Sequence, residues 1–429
     1  MECRMRFVFA FTTLWLGTAG ICHAETTAVE VYRNILAKSP KVRASEASVR
    51  AAEENLGANP SFPRPKIDVY GNVGLSETNP SAVAKSSDPI TSAVGVRFSQ
   101  SLYDFGKTSL AHERSSIAFR EAKAQQELSK RDVQREVAKS VLESSRLQQS
   151  LEVLQTLEGK LKGQFGLVER QYRSGMKSRK DYLRFMGDYR RIQRDVQRTG
   201  ALTRESMNHL QLESGLVDGW KHVNAEVSSE MLNYDVTKKD DQILALIEEL
   251  GRELKQTTLA EARRAEGLEL ALAADASYGG NGFLNSDQSW SDVDSDHWSL
   301  MLTFNYNLID FGMKRHRIAA AVAKFDEGSA ILDQSKLDRA ANEGKVQEQW
   351  IAAKVNYQSA RELLKLEEES FAILDSEYKQ GRLSYIDYMQ GFQNLSSAKT
   401  GAIDAGFAVR KALVEIIYLN GGSNEVVLQ

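Results

Sequence analysis

The sequence predicts a mainly α-helical fold with a smaller β portion, built from a β-β-α-α unit that occurs twice. Motifs that repeat at one constant offset indicate the duplication. Long segments without proline, with apolar residues at helical spacing, indicate the helices. Four segments of about ten residues that alternate between apolar and polar side chains indicate the strands.

The duplication is visible in two separate motifs. The segment Leu102–Gly106 has a counterpart in Leu308–Gly312, and the aspartates Asp104 and Asp310 are 206 residues apart. A second set of residues recurs at the same offset: Tyr172, Gly175, Asp181 and Tyr182 match Tyr378, Gly381, Asp387 and Tyr388. Two motifs with one shared offset predict two copies of a single unit.

The first residues predict an exported protein. Arg4 and Arg6 precede a largely apolar run that is too short for a comfortable membrane span, and small residues end it before Glu25. We therefore expect residues 1–24 to be a signal peptide. The remaining predicted ranges are 25–214 for the first structural repeat, 215–242 for an inter-repeat linker, 243–420 for the second repeat and 421–429 for a C-terminal tail.

Charge and cysteine content narrow the class of protein. The net charge of −3 gives no indication of a nucleic-acid partner. Both cysteines, Cys3 and Cys22, lie within the predicted signal peptide, so the exported chain has no disulfide framework. Its stability must therefore come from packing or from assembly.

The helices are predicted to be unusually long. All six prolines precede residue 90, so Thr108–Tyr172 can run as nearly one helix of about 97 Å. Such lengths are typical of coiled-coil packing. Apolar residues at steps of mostly three, four or seven form a seam in each copy: Val133, Val137, Val141, Leu147, Leu151, Leu154, Leu161, Phe165, Val168 and Tyr172, then Val346, Trp350, Tyr357, Leu364, Phe371, Leu374 and Tyr378. Shorter helical stretches, Val29–Leu56 and Ile243–Glu266, precede the strands.

The four predicted strands each have one apolar face. The apolar members are Ile67, Val69, Val73 and Leu75, then Val94, Val96, Phe98 and Leu102, then Leu268, Leu270, Leu272, Ala274, Ala276 and Tyr278, and finally Trp298, Leu300, Leu302, Phe304, Tyr306 and Leu308. Polar loops over 77–91 and 279–296 join the strands in pairs.

Two interpretations of these strands remain open from the residues. They can form a soluble antiparallel sheet with one buried face, or tilted membrane strands, for which about ten residues is the required span. No other segment offers an apolar core for the strands to cover. Four strands cannot close a barrel, and open edges do not survive in lipid. A membrane location therefore requires several chains: two would give eight strands and three would give twelve.

The motifs resemble those of the TolC family of outer-membrane efflux and secretion channels over essentially the whole exported chain. The resemblance rests on Tyr32–Pro40, on Leu-x-Asp-Phe-Gly at the end of the second strand of each copy, and on Tyr-x-x-Gly with an aspartate nine residues after the tyrosine. Three prolines before the first strand add to it: Pro60, Pro63 and Pro65. The resemblance implies a mainly α fold with a membrane β-barrel portion, namely a trimeric 12-stranded β-barrel continued by a long periplasmic α-helical barrel.

The resemblance also implies a location and a function. The chain would lie in the outer membrane of a diderm bacterium and extend into the periplasm, as the passive exit duct of a tripartite efflux pump or a type I secretion system. Its partners would be two further copies of itself, outer-membrane lipid, a periplasmic adaptor (membrane fusion protein) and an inner-membrane ABC or proton-driven transporter. No cofactor is implied.

The tips of the helical hairpins are the functional sites that the resemblance implies. Adaptor contacts fall at Gly175, Met176, Lys177, Gly381, Arg382, Leu383 and Ser384. Asp181 and Asp387 match acidic residues near the closed pore end of the family. The sequence has Gln390 where some members have a second aspartate, and Leu383 where some have a basic latch. We therefore predict a gate in which Asp387 faces Arg179 or Lys180 of a neighbouring hairpin.

The Asp-Phe-Gly segments are predicted to be structural. Gly106 and Gly312 permit a backbone bend from strand to helix, and Asp104 and Asp310 can cap the start of the helix.

Little in the sequence favours an enzyme. The six histidines lack the i, i+4 pairing suited to zinc, and no nucleophile-elbow, P-loop or dinucleotide motif occurs. We predict no catalytic, cofactor-binding or metal-binding residues, and we interpret the acidic loop around Asp287–Asp296 as a solvated loop. The alternative functions are a periplasmic coiled-coil scaffold or adaptor without a membrane barrel, and a secreted enzyme with a helical stalk.

Overall fold

The computed structural model describes residues 26–75, 90–215, 220–235, 242–265, 267–281, 296–307 and 309–429. The predicted signal peptide, most of the acidic loop and Leu308 of the second motif lie outside these residues. In chain order the elements are β1 (Thr26–Thr27), α1 (Ala28–Lys38), α2 (Pro40–Ala58), β2 (Lys66–Leu75), β3 (Ile90–Tyr103), α3 (Lys107–Arg173), α4 (Arg179–Ser214), β4 (Trp220–Lys221), α5 (Ser229–Leu232), α6 (Gln242–Arg264), β5 (Glu269–Asn281), β6 (Asp296–Asn305), α7 (Met313–Lys379), α8 (Tyr385–Asn420) and a 3-10 turn (Asn424–Val427).

The two copies of the unit have matching long helices. Helices α3 and α7 each contain 67 residues, about 100 Å at 1.5 Å per residue, and the returning helices α4 and α8 each contain 36. Most of the predicted seam residues are buried in these helices. The predicted β-β-α-α duplication is therefore confirmed.

The first predicted helical stretch, Val29–Leu56, differs in one respect from the structure. It is divided into α1 and α2, because Ser39 leaves the helical conformation and Pro40 begins the second helix. Proline suits this first position, since its missing N–H would have no partner inside the helix.

The helices form a ribbon with two free sides. In the half of the ribbon near the hairpin turns, the order is α4, α3, α8, α7; in the half near the sheet, it is α2, α3, α6, α7. One side of the ribbon is therefore formed by α2 and α4, and the other side by α7. Helix α2 has no buried residue at all, which leaves its outer face available to a neighbour.

The strands form one antiparallel sheet in the order β2-β3-β5-β6. Strand β3 of the first copy pairs with β5 of the second, and a β-bulge lies between Ser101 and Tyr103, just before the bend into α3. The strands reach further into the predicted loops than expected, at 90–91 and 279–281, whereas β6 ends at Asn305 and leaves Tyr306 outside. Strands β2 and β6 are the open edges.

The register joins the apolar faces of all four strands into one surface. Ile67, Phe98, Ala274 and Leu300 lie in one row across the sheet, and the next row is Val69, Val96, Ala276 and Trp298. Nothing in the described chain covers this surface, and Leu300 is 64% exposed. The sheet therefore has an uncovered apolar face, unlike a soluble sheet with a buried one.

The opposite face of the sheet is polar and ordered by hydrogen bonds. Tyr70 lies across Gly95, where an added Cβ would be 2.7 Å from the tyrosine ring, and its hydroxyl donates to Asp275 at 2.9 Å. Arg97 forms an ion pair with the same carboxylate at 3.2 Å and lies 4.9 Å from the centre of the Tyr70 ring. Tyr70 therefore belongs to the polar face of the sheet.

Two apolar clusters stabilise the helical ribbon. One lies at its middle and joins α1, α3, α7, α8, the segment 220–231 and the C-terminal tail, with Trp350 and Phe407 fully buried. The other lies near the hairpin turns and is rich in aromatic residues: Phe185, Phe371, Tyr378, Tyr385, Tyr388 and Phe392.

A buried arginine fixes the tail to the middle of the ribbon. Arg410 of α8 is only 3% exposed, and its guanidinium donates to the carbonyls of Val427 and, at 2.9 Å, of Glu226. Burial lowers the pKa of Arg410 to about 10. Within the described residues no carboxylate pairs with it.

We predict that Arg410→Met lowers the free energy of unfolding by about 2 kcal/mol, because two buried carbonyls lose their donor while a costly buried charge is removed. Thermal unfolding would measure the loss in free energy of unfolding, and hydrogen exchange would show whether the C-terminal tail is released. The control is Arg173→Met, since Arg173 is exposed and forms only a surface ion pair. If both substitutions lowered the free energy of unfolding equally, Arg410 would not be the residue that fixes the tail to the ribbon.

Candidate functional site at the hairpin turns

Both hairpin turns have the same backbone geometry. At the end of α3, Gly175 has φ of 77° and Met176 N–H donates to the carbonyl of Gln171 at 2.9 Å. At the end of α7, Gly381 has φ of 73° and Arg382 N–H donates to the carbonyl of Glu377 at 3.0 Å. This is the Schellman arrangement, which requires a left-handed residue at the glycine position. Both turns are exposed, and Met176 projects with 73% of its surface free.

The two candidate pore aspartates belong to helix caps. The Ser178 hydroxyl accepts from the Asp181 backbone N–H at 3.1 Å and donates to the Asp181 carboxylate at 2.7 Å. Ser384 and Asp387 make the same two contacts, at 3.2 and 2.6 Å. Each acid therefore also lies in the first turn of a helix, where the helix dipole favours negative charge.

The remaining predicted gate residues are dispersed in the single chain. Arg179 and Lys180 are exposed in the first turn of α4, and in the described chain neither forms an ion pair with Asp387. The Gln390 amide donates to Asn394 at 3.1 Å on the exposed side of α8. The proposed meeting of Asp387 with a basic residue therefore requires another copy of the chain.

The structure shows contacts between the two hairpins that the sequence analysis missed. The Tyr385 hydroxyl of α8 donates to Asp188 of α4 at 3.0 Å, and its ring lies 5.1 Å from that of Phe185. Lys177 of the first turn donates to the Tyr378 hydroxyl at 3.2 Å and lies over the rings of Tyr378 and Tyr385. The hairpins are thus joined directly above the turns.

Burial sets the protonation state of the Tyr385 hydroxyl in its contact with Asp188. Burial, followed by the nearby Asp188 carboxylate, raises the pKa of Tyr385 well above its ordinary value. The hydroxyl therefore stays a hydrogen-bond donor at any physiological pH. The only sequence signal was an asymmetry between the copies, because Tyr385 occupies the position that Arg179 holds in the first copy.

The bends from strand to helix follow one pattern in both copies. The Asp104 carboxylate accepts from the backbone N–H groups of Gly106 at 3.0 Å and Thr108 at 2.7 Å, and Asp310 accepts likewise from Gly312 and Lys314. Both phenylalanines of the motifs adopt positive φ, 57° at Phe105 and 49° at Phe311, which is uncommon for a bulky residue. Each bend therefore requires its aspartate and two successive left-handed residues.

The described residues contain neither a metal-binding cluster nor a membrane-spanning helix. No group of three or more His, Cys, Asp or Glu side chains in them could hold an ion. None of the described helices combines the length and the hydropathy needed to cross a bilayer.

Comparison with known proteins agrees with this architecture. Residues 31–189 match the sequence profile of the outer membrane efflux protein family. No curated protein matches the chain. Among solved structures, the outer membrane protein VceC of Vibrio cholerae superposes with a TM-score of 0.76 at 14% identity, covering 92% of this chain and 96% of that one.

Two further structures show the same fold. The CmeC outer membrane channel of Campylobacter jejuni has a TM-score of 0.76 at 14% identity, covering 98% of this chain and 94% of that one. The open-state MtrE outer membrane channel of Neisseria gonorrhoeae has a TM-score of 0.72 at 13% identity, covering 93% and 90%.

These matches confirm the predicted fold class, the location in the outer membrane with an extension into the periplasm, and a channel rather than an enzyme. In its first half the chain matches the profile of the outer membrane efflux protein family, and over nearly its whole length it has the fold of the solved outer-membrane channels.

Proposed function

We propose that three copies of this chain form the exit duct of a tripartite efflux pump or a type I secretion system. In this proposal a twelve-stranded barrel lies in the outer membrane and the helical ribbons close a tunnel across the periplasm. The observation that carries the proposal is the sheet, which has one uncovered apolar face, one polar face and two open edges.

The sheet edges favour closure by copies of the same chain. Because the sheet has four antiparallel strands, β6 of one copy and β2 of the next run antiparallel and can extend the ladder. Closure satisfies the backbone groups of both edges, as lipid requires. Two copies would give eight strands, whose interior is filled by side chains, whereas twelve leave a lumen.

The partners follow from the position of the hairpin turns. The turns lie at the end of the ribbon away from the sheet, about 100 Å along α3. This length carries them across the periplasm, where an adaptor attached to an inner-membrane transporter would meet them. The exposed Met176 and Arg382 at the two turns are suitable contacts for such an adaptor.

We propose that Asp387 carries the charge of the narrow end of the duct. Three copies would place three carboxylates around one axis, and such a ring binds cations. The hydrogen bond from Ser384 orients each carboxylate and leaves its second oxygen available to a cation or to a basic residue of the next copy.

We predict that Asp387→Asn weakens block of the channel by Mg²⁺ roughly tenfold, because the ring loses its charge while its size is kept. The backbone cap survives, since the Ser384 hydroxyl accepts from the backbone N–H of residue 387. Single-channel recording of the purified trimer in a planar bilayer would measure both conductance and block.

Asp181→Asn is the matched control, because Asp181 has the same cap on the first hairpin. Unchanged block in Asp387→Asn would remove Asp387 from the gate, whereas an equal change in both variants would place Asp181 in the gate as well. Absence of any conductance from the unaltered protein would contradict the duct itself.

A further inference from the structure

The outer side of α4 has an exposed basic stripe. At about 100° per residue, Arg184, Arg191 and Arg198 share one face of α4 with Gly187. The buried residues of the helix, such as Phe185 and Thr203, lie on the opposite side. All three arginines are exposed, and in the described chain only Arg191 forms an ion pair, with Asp188 at 3.2 Å.

The outer side of α7 has an acidic stripe of the same spacing. Glu362, Glu369 and Glu377 share one face of α7 with two exposed apolar residues, Leu366 and Ile373. The buried side of this helix, with Tyr357 and Phe371, faces the other way. Within the described residues none of the three glutamates has an ion-pair partner. Ile373 is 62% exposed, which leaves a large apolar side chain uncovered on each copy.

We propose that these two stripes form the seam between neighbouring copies, with α4 of one copy against α7 of the next in a single antiparallel register. This inference rests on the proposed trimer and specifies its contact in the tip half. The order of the helices supports it, because α4 and α7 are the two outermost helices of the ribbon there.

One register brings four positions of each stripe opposite one another to within one residue, and it leaves Leu366 opposite Arg194, outside the four basic-stripe positions. In an antiparallel pair of helices, the numbers of two facing residues have a constant sum. This sum is 560 for Gly187 with Ile373, for Arg191 with Glu369 and for Arg198 with Glu362. It is 561 for Arg184 with Glu377. The large exposed isoleucine therefore lies opposite a glycine, where nothing lies within 4 Å of an added Cβ.

The register is also feasible along the ribbon. Helix α4 begins at Arg179 and α7 ends at Lys379, and both ends lie at the hairpin turns. If these two ends faced each other, the sum of facing residue numbers would be 558. The proposed register is therefore shifted by only two residues from that arrangement. Exposed ion pairs contribute little stability, about 0–1 kcal/mol each. The charges therefore mainly select the partner and the register, and the isoleucine in its glycine gap supplies the packing.

Cysteine cross-linking of the purified, full-length trimer tests the register. The sequence from residue 25 onward has no cysteine, so introduced thiols are the only ones in the exported chain. The test pair is Gly187→Cys with Ile373→Cys. The control pair is Gly187→Cys with Leu366→Cys, which keeps the same stripe but moves one thiol about 10 Å along the helix. A disulfide needs Cα atoms within about 7 Å.

We expect mild oxidation to convert the test pair into covalent trimers at least roughly tenfold more than the control pair, since only the test pair meets this distance. Arg191→Glu in the test-pair background should reduce the cross-linked fraction, and Glu369→Arg should restore it. A trimer in which both pairs cross-link equally, or neither does, would overturn the seam while leaving the proposed function intact.

Two other outcomes identify different failures. A chain that remains a single copy in detergent would sink the proposed function rather than the seam alone. If the Gly187→Cys thiol of the purified trimer reacts fully with a bulky maleimide, and becomes protected only when a periplasmic adaptor is added, the basic stripe belongs to the adaptor and the proposal is wrong.

Discussion

Leu300→Arg is expected to abolish assembly in the outer membrane. Leu300 lies near the middle of β6 on the uncovered apolar face, beside Ala274. An arginine near the middle of the bilayer costs about 2–4 kcal/mol per strand. Three copies in one barrel raise the cost to roughly 6–12 kcal/mol, which is comparable to the whole stability of many proteins.

The neighbouring position provides a matched control. Ser299→Arg introduces the same side chain one residue away, on the polar face that would line the lumen. We expect this variant to reach the outer membrane in normal amounts. Membrane fractionation and the yield of heat-resistant oligomer would compare the two. If both variants assemble equally, the apolar face does not contact lipid.

Gly406→Ala is expected to destabilise the middle of the ribbon by about 3 kcal/mol, because overpacking there cannot relax. An added Cβ on Gly406 of α8 would lie 2.1 Å from the carbonyl oxygen of Ala225. That backbone segment is fixed by hydrogen bonds on both sides, from Ala225 N–H to Gln149 at 3.1 Å and from Val227 N–H to Tyr357 at 3.0 Å.

Another glycine of the same helix is the control. Gly401 has no atom within 4 Å of an added Cβ, so Gly401→Ala should stabilise the helix by about 0.5–1 kcal/mol through the lower entropy of the unfolded chain. Thermal unfolding followed by circular dichroism would give both values. We expect the two substitutions to change the free energy of unfolding in opposite directions. If Gly406→Ala left it unchanged, the backbone segment at Ala225 would be free to move.

The regular elements could be predicted because they depend on local periodicity. Alternation at Ile67, Val69 and Val73 and helical spacing at Val133, Val137 and Val141 are readable from a single chain. Strand ends could not be placed as well, since the pairing at Thr91 with Asn281 depends on the partner strand and not on local composition. The division of the first helix at Pro40 needed the structure as well.

The candidate site was only partly predictable. The turn glycines and tip acids were found because the repeat marks them twice. The link between Tyr385 and Asp188, and the position of Lys177 over Tyr378, join residues about 200 positions apart and have no counterpart in the repeat. The left-handed Phe105 also has no local signal, because a bulky residue rarely adopts positive φ.

The oligomeric mass of the detergent-purified protein tests the central claim most directly. Sheets with two open edges and a bare apolar face should be isolated only as three copies bound to detergent, with β2 of each copy paired to β6 of the next. Native mass spectrometry is expected to show three copies and no stable single chain. A water-soluble single chain that takes up no detergent would contradict the account.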